Sequence, residues 1–331
     1  MKYLIINNST PIHTELAKKI SDSLLKVGLQ NIIYSPKMQK DRIGSINFQK
    51  IFQFKSFFIT SYYFFSGYNN LVITSPSIYA LPISVLAKIF NKRTIYFMHE
   101  PNLKRKDFYS FIVNFFNKII GLISSDIIVL SEYANKEAKN KFKSQKISRI
   151  NFPSGLPTKS TINKRTKISF VGNLSPNKRV DLFIKISKLC NEKFVIAGSG
   201  DYKKLKSEIK QTNITLINKF LSKKEYDKLI QESKLVLLPY EHSTQSAVLF
   251  DCYRNGTPVI ATDIGSFREF INYGKTGYFF KQDEYVSKTS KIINEIQPDD
   301  LIEIRKNCIN YFIENFSDNC FEKKFINLIK L

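Results

Sequence analysis

A chain of 331 residues is long enough for two domains, and 43% hydrophobic with 14% aromatic residues supplies two cores, which excludes intrinsic disorder. Only 12 Gly and 11 Pro, scattered, exclude collagenous and low-complexity classes. Lys and Arg total 51 against 28 Asp and Glu; this net +23 favours nucleic acid, an anionic membrane surface or a phosphorylated substrate as partner. Residues 1–150 hold 22 Lys and Arg against 8 Asp and Glu, or +14, and the remainder holds +9.

Taken in chain order, short apolar runs alternate with helical stretches, the rhythm of βα units and parallel sheets. Lys2 to Asn7 reads as a strand and Thr14 to Val27 as a helix with Leu16, Ile20, Leu24 and Leu25 on one face. A short strand at Ile32–Tyr34 precedes an aromatic, helical stretch from Phe48 to Phe65. Leu71–Thr74, Thr94–Met98 and Asp126–Leu130 are strands, with a helix from Lys106 to Ile123 before the last. The apolar stretch from Leu71 to Phe90 contains Ser75, Pro76, Ser77, Pro82 and Lys88, so it predicts a strand and a core helix, not a membrane span. The apolar start, Tyr3 to Ile6, is shorter than the roughly 7–15 residues of a secretory signal.

Asn151 to Thr166, with Pro153, Gly155 and Pro157, reads as a linker, and the rhythm then restarts. Strands are expected at 168–171, 194–197, 214–217, 235–238 and 258–262, and helices at 180–190, 223–233 and 246–255. Two helices, 284–295 and 299–331, close the chain. Cys190, Cys252, Cys308 and Cys320 form no CxxC pair, and with three His a zinc site is not expected; reduced thiols in a cytoplasmic compartment fit best.

The second half carries the chemistry. Gly172 and Asn173 end a strand, and Lys178 follows at the start of a helix. A close backbone approach and a cation beside free helix N–H groups suit a diphosphate; a glycine turn with a solvated lysine fits the same residues. Further on, a loop to Gln245 opens a helix at Ser246, Ala247 and Val248 whose N-terminus would face an anion. Asp251 on that helix has the carboxylate to take ribose hydroxyls, or to be a solvated surface charge. Gly256-Thr257-Pro258, Thr262-Asp263, Gly265 and Glu269 follow.

From Ile168 to Tyr278 this ordered set resembles the nucleotide-binding domain of GT-B glycosyltransferases, retaining family 4. Gly172, Leu174 and Lys178 match the family's first loop, Gly198-Ser199-Gly200 its G-x-G, Pro239-Tyr240 its P-S/Y segment, and Gly256 to Gly265 with Glu269 and Gly277 the rest. Departures are Asn173 for a basic residue, Asp251 for the second Glu of E-x7-E, and Ser243 for the first; Thr244 to Ala247 resembles a Q-S-G variant, with Glu241 or Gln245 as substitutes. In the first half, His99-Glu100-Pro101 is similar to a cleft-facing segment of relatives, and Asn7 to Pro11 stands in for a Gly-rich loop.

The resemblance implies an α/β, GT-B fold: two Rossmann-like domains facing each other across a deep cleft. Residues 1–155 would bind acceptor, 156–315 the nucleotide sugar, and the helix 316–331 would cross back. Implied roles are catalytic for His99, Lys178 and Glu269; donor-binding for Gly172, Asn173, Lys178, Gly198, Gln245, Ser246, Ala247, Val248 and Asp251; acceptor-side for Asn8, His13 and His99. His13 and His242 are equally readable as solvated loop residues. No cofactor and no metal are expected, since no Asp-x-Asp triplet is present; the substrate would be a UDP- or GDP-linked sugar. The expected partners are that sugar, a lipid-linked or glycan acceptor in polysaccharide or glycolipid synthesis, and an anionic membrane surface met by Lys104, Arg105 and Lys106 on the cytoplasmic face. Nucleic acid is not expected, because no recognition signature appears. A non-catalytic partner subunit and a nucleotide-sugar epimerase of the same fold are the alternatives.

Overall fold

The structure is a computed structural model that describes residues 1–7, 11–35, 54–102, 108–158, 165–200, 207–209, 212–243 and 246–330. The chain divides into two compact units, residues 1–153 with 321–331, and residues 154–320.

In the first unit, six parallel strands are β1 (Lys2–Ile6), β2 (Gln30–Tyr34), β3 (Asn70–Ile73), β4 (Thr94–Phe97), β5 (Asp126–Val129) and β6 (Lys146–Arg149). They lie in the order β2-β1-β3-β4-β5-β6. Parallel neighbours require crossovers, here helices α1 (Pro11–Lys26), α2 (Phe54–Phe65), α3 (Ala80–Ile89), α4 (Phe108–Ile123) and α5 (Glu132–Lys141). The step from β1 to β2 runs one way along the sheet and every later step the other. Right-handed crossovers therefore put α1 on one face and α2–α5 on the opposite one. Side chains agree: Leu4, Ile6, Leu71, Ile73, Tyr96 and Met98 form one core with Phe64 of α2, Ile83 of α3, Ile120 of α4 and Ala138 of α5. Phe97 points to the other face, where its ring meets Phe321 and Phe325 of the C-terminal helix (Asp318–Lys330).

The second unit holds β7 (Lys167–Val171), β8 (Lys193–Ala197), β9 (Ile214–Ile217), β10 (Ser233–Leu238), β11 (Val259–Thr262) and β12 (Gly277–Phe280), all parallel, in the order β12-β11-β10-β7-β8-β9. Its helices are α6 (Val180–Ser187), α7 (Lys223–Glu232), α8 (Ala247–Arg254), α9 (Phe267–Phe270), α10 (Tyr285–Glu295) and α11 (Pro298–Asn315). Connections leave β7 and β10 in opposite directions, which opens a crevice beyond the carboxyl ends of those two neighbours. In the first unit the same reversal falls between β1 and β3.

Several elements differ from the sequence expectation. The expected 299–331 helix is two, broken at Phe316-Ser317: Phe316 is buried against Phe250 and Phe270, and the Ser317 hydroxyl accepts from the Cys320 N–H to start the next helix. Helix α5 and strand β6 were not anticipated. α5 buries only Ala134, Asn135 and Ala138, which makes no apolar stripe, and β6 is an edge strand of sequence KISR with no buried position. β12 and the single turn α9 were also unanticipated. Residues 48–53 of the expected 48–65 helix lie outside the described residues.

Candidate functional site

In the second unit, the residues after β7, β8, β10 and β11 are tied into one surface. The loop after β7 stays paired with the loop after β8: the Gly172 N–H donates to Ala197 O and the Leu174 N–H to Ser199 O, each at 2.9 Å. That pairing requires glycines. A Cβ on Gly198, at φ 153°, would lie 1.7 Å from the Gly172 carbonyl oxygen. Gly198 therefore serves the contact between loops. Gly172 itself lies beside the start of α8, where a Cβ would sit 3.9 Å from Val248.

Lys178 ends a single 3-10 turn, Pro176–Lys178, started by proline. Its Nζ stands 3.3 Å from the centre of the Tyr240 ring, a cation–π contact at the carboxyl end of β10. Tyr240 is fully buried, and burial holds its hydroxyl well above the ordinary phenol range. The buried Ser246 hydroxyl lies beside it without hydrogen-bond geometry. Asn177 fixes the turn to this loop: its Nδ2 donates to His242 O at 3.1 Å, its Oδ1 accepts from His242 N at 2.9 Å, and its carbonyl accepts from Glu241 N at 2.8 Å. The next residue but one, Arg179, holds a left-handed φ of 47° and pairs bidentately with Asp181 at 2.9 Å. Asn177, Arg179 and the role of Tyr240 escaped sequence reasoning. Only Tyr240 carried a signal, its place after Pro239.

Helix α8 begins at Ala247 with Ser246 as N-cap residue and no side-chain cap, and the side chain of Val248 in its first turn lies beside Gly172. Asp251 lies one turn further on. Its carboxylate is 3.2 Å from Arg254 and 3.7 Å from Lys223, and Tyr226 adds a hydrogen bond. Burial nevertheless raises the Asp251 pKa, opposed by Lys223 and Arg254. Gly265 packs as tightly as Gly198 does, its Cβ position 1.7 Å from Ser243 O, which joins the loops after β10 and β11. Glu269 on α9 is half-buried, and Asn173 is exposed.

In the first unit, two imidazoles meet at the β1/β3 reversal. His13 on α1 and His99 after β4 stand edge to face with ring centres 4.3 Å apart. His99 Nε2 lies 3.0 Å from Thr74 O. A carbonyl only accepts, so Nε2 carries the proton of a neutral ring and Nδ1 becomes the acceptor. Desolvation, then the neighbouring His13, holds His99 well below the ordinary imidazole range, and desolvation lowers His13 to about 4. Asn7, fully buried at the end of β1, donates to Thr14 Oγ1 at 2.9 Å and to Ser35 Oγ at 3.0 Å and so holds α1 in place. The structure thus brings His13 and His99 together. Asn8, Lys104, Arg105, Lys106 and Gln245 lie outside the described residues. Among the described residues, no three His, Cys, Asp or Glu side chains gather into a group able to hold a metal ion.

Residues 156–314 match the family model described as glycosyl transferases group 1. These residues belong to that family. The fold of the whole chain is that of GT-B glycosyltransferases, as three solved structures show. HepE from Anabaena, solved with UDP, is 13% identical over 100% of both chains with a TM-score of 0.76. Sucrose-phosphate synthase from Thermosynechococcus elongatus is 12% identical over 100% of this chain and 98% of its own, with a TM-score of 0.78. A mutant of S. aureus TarM, in complex with fondaparinux, alpha-GlcNAc-glycerol and UDP, is 20% identical over 83% of this chain and 59% of its own, at 0.66. HepE is also solved with UDP-glucose. Comparison with curated protein sequences gives no match.

Proposed function

We propose that the protein transfers a sugar from a nucleotide diphosphate to an acceptor hydroxyl with retention of configuration. The observation that carries this reading is Lys178, seated on the Tyr240 ring at the β7/β10 reversal beside the start of α8, within the segment that matches the glycosyl transferases group 1 family. There a cation and helix N–H groups meet the negative charge that develops on a departing diphosphate. The bond from the sugar's anomeric carbon to the phosphate oxygen breaks, and the nucleotide diphosphate leaves with the electron pair. The acceptor oxygen bonds to that carbon, and its proton passes to the leaving phosphate. His99, neutral with Nδ1 as acceptor, orients the acceptor hydroxyl. Lys178 and the helix terminus supply the positive charge, so a metal ion is not required.

The acceptor we favour is a glycan carried on a lipid, reached at the cytoplasmic face of a membrane with Lys104, Arg105 and Lys106 toward anionic headgroups. Incubating the protein with UDP- and GDP-linked sugars, with and without acceptor extract, tests the reading. Nucleotide diphosphate should be released only when acceptor is present, and EDTA should leave the rate unchanged. An inverted product by proton NMR, or abolition by EDTA, would overturn those parts. A non-catalytic partner subunit is the second reading, favoured by the engagement of Asp251 with Arg254 and Lys223. It predicts donor binding with no release under any acceptor.

A further inference from the structure

Helices α2, α3 and α4 pack side by side over one face of the first sheet, and their outer surface is apolar to an extent that solvent exposure does not explain. Phe58, Tyr62 and Phe65 of α2, Ile89 of α3 and Phe111 of α4 are each between 65% and 69% exposed. Ile59, Val85, Phe90, Phe115 and Leu122 extend the same surface. The stripes are regular: 58, 62 and 65 on α2, and 111, 115 and 122 on α4, follow the helical repeat on the side away from the core. Rings bridge the helices, with Phe65 and Phe90 at 6.0 Å. A contiguous apolar surface of this kind marks an interaction site.

Charge selects the occupant. None of the three helices contains an Asp or a Glu, and each carries one exposed lysine: Lys55, Lys88 and Lys118. Lys118 falls in the Phe111–Phe115–Leu122 stripe, so cation and apolar groups share one plane. A second copy of this face would set lysines against lysines. An anionic lipid leaflet satisfies both terms at once, apolar rings entering the acyl boundary and ammonium groups meeting headgroups. Among the described residues, no helix is long and apolar enough to cross a membrane, so the helices would lie along the surface.

We propose that the α2–α3–α4 face docks the protein on an anionic membrane through Phe58, Tyr62, Phe65, Ile89, Phe111 and Phe115, with Lys55, Lys88 and Lys118 as its charged component. This deepens the reading of a lipid-held acceptor and rests on it only for purpose; vesicle binding is measured without turnover, so the two fail separately.

The chain has no Trp, which makes a single introduced Trp an unambiguous reporter. Phe111→Trp should shift its emission to the blue with phosphatidylglycerol–phosphatidylcholine vesicles, and shift less with phosphatidylcholine alone. Phe220→Trp, at a side chain 77% exposed in the second unit, should not shift. Co-sedimentation of the full chain should weaken about tenfold for each of Phe58→Ser and Phe111→Ser, and roughly fivefold for each of Lys55→Gln, Lys88→Gln and Lys118→Gln. Unchanged melting temperatures confirm that the variants fold. No binding to anionic vesicles, equal blue shifts in Phe111→Trp and Phe220→Trp, or binding indifferent to both Ser variants would each overturn the proposal. So would a concentration-dependent dimer that Phe111→Ser dissolves, which would assign the face to a second copy.

Discussion

Lys178 illustrates what a single residue contributes and what holds it. Its ammonium sits 3.3 Å from the centre of a buried ring, which holds a cation at the carboxyl end of β10. Removing one such stabilising group typically costs about 10²–10³ in turnover. Lys178→Ala should therefore lose turnover by that factor while its melting temperature changes little, and unchanged turnover would place the diphosphate elsewhere. Tyr240→Phe keeps the ring and should retain most activity. Lys178 was legible in the sequence because a loop motif fixes its place after a strand-ending glycine. Asn177, which pins that loop through His242 and Glu241, was not, because its partners lie over 60 residues away. His13 shows the same limit: nothing in its neighbourhood in sequence announces His99. Its acid response follows from desolvation. The folded pKa of about 4 lies below the ordinary 6.5, so the unfolded chain binds more protons between those values. The stability this site permits is fully present above about pH 6.5 and is lost as pH falls toward about 4. Thermal midpoints across that window should fall less steeply in His13→Gln than in the parent chain.

At the scale of elements, close contact between loops shapes the crevice at the β7/β10 reversal. Gly198 and Gly274 separate backbone conformation from space. Both have positive φ, 153° and 74°, but a Cβ on Gly274 meets nothing within 4 Å, whereas one on Gly198 overlaps a carbonyl oxygen. Gly274→Ala should cost about 1–2 kcal/mol for the left-handed backbone alone. Gly198→Ala adds a clash with the Gly172 backbone and should cost more than about 4 kcal/mol, or prevent folding. Urea midpoints of the two variants check this, and equal costs would show that the β7 and β8 loops separate easily. Strands β1, β3, β4 and β10 were readable because both faces of a parallel strand are buried, giving short unbroken apolar runs. β6 escaped that rule as an edge strand, and α5 escaped because small residues, Ala134 and Ala138, make its core contact.

On the scale of the molecule, topology explains where the C-terminal helix packs. In the first unit, four crossovers cover one sheet face and α1 alone serves the other, so the β4 side of that face needs a cover from elsewhere. The C-terminal helix supplies it, which is why residues 321–331 belong to the first unit. Phe321, Phe325 and Ile329 are buried, Arg93 donates to Ile329 O at 2.8 Å and Leu328 O at 3.1 Å, and Lys26 pairs with Glu322. At about 1.5–3 kcal/mol for each large apolar side chain buried, three contribute roughly 5–9 kcal/mol. That is comparable with the entire stability of an ordinary domain, about 5–15 kcal/mol. A chain stopped after Cys320 should therefore lose the first unit selectively. Hydrogen exchange should quicken in β1, β4 and α1, while β7, β8 and β10 keep their protection, because no side chain of the deleted helix beyond Cys320 belongs to the second unit. On the proposed reading, which gives donor binding to the second unit, that binding should survive in the truncated protein when measured by calorimetry. Uniform loss of protection in both sheets would mean that the two units unfold as one.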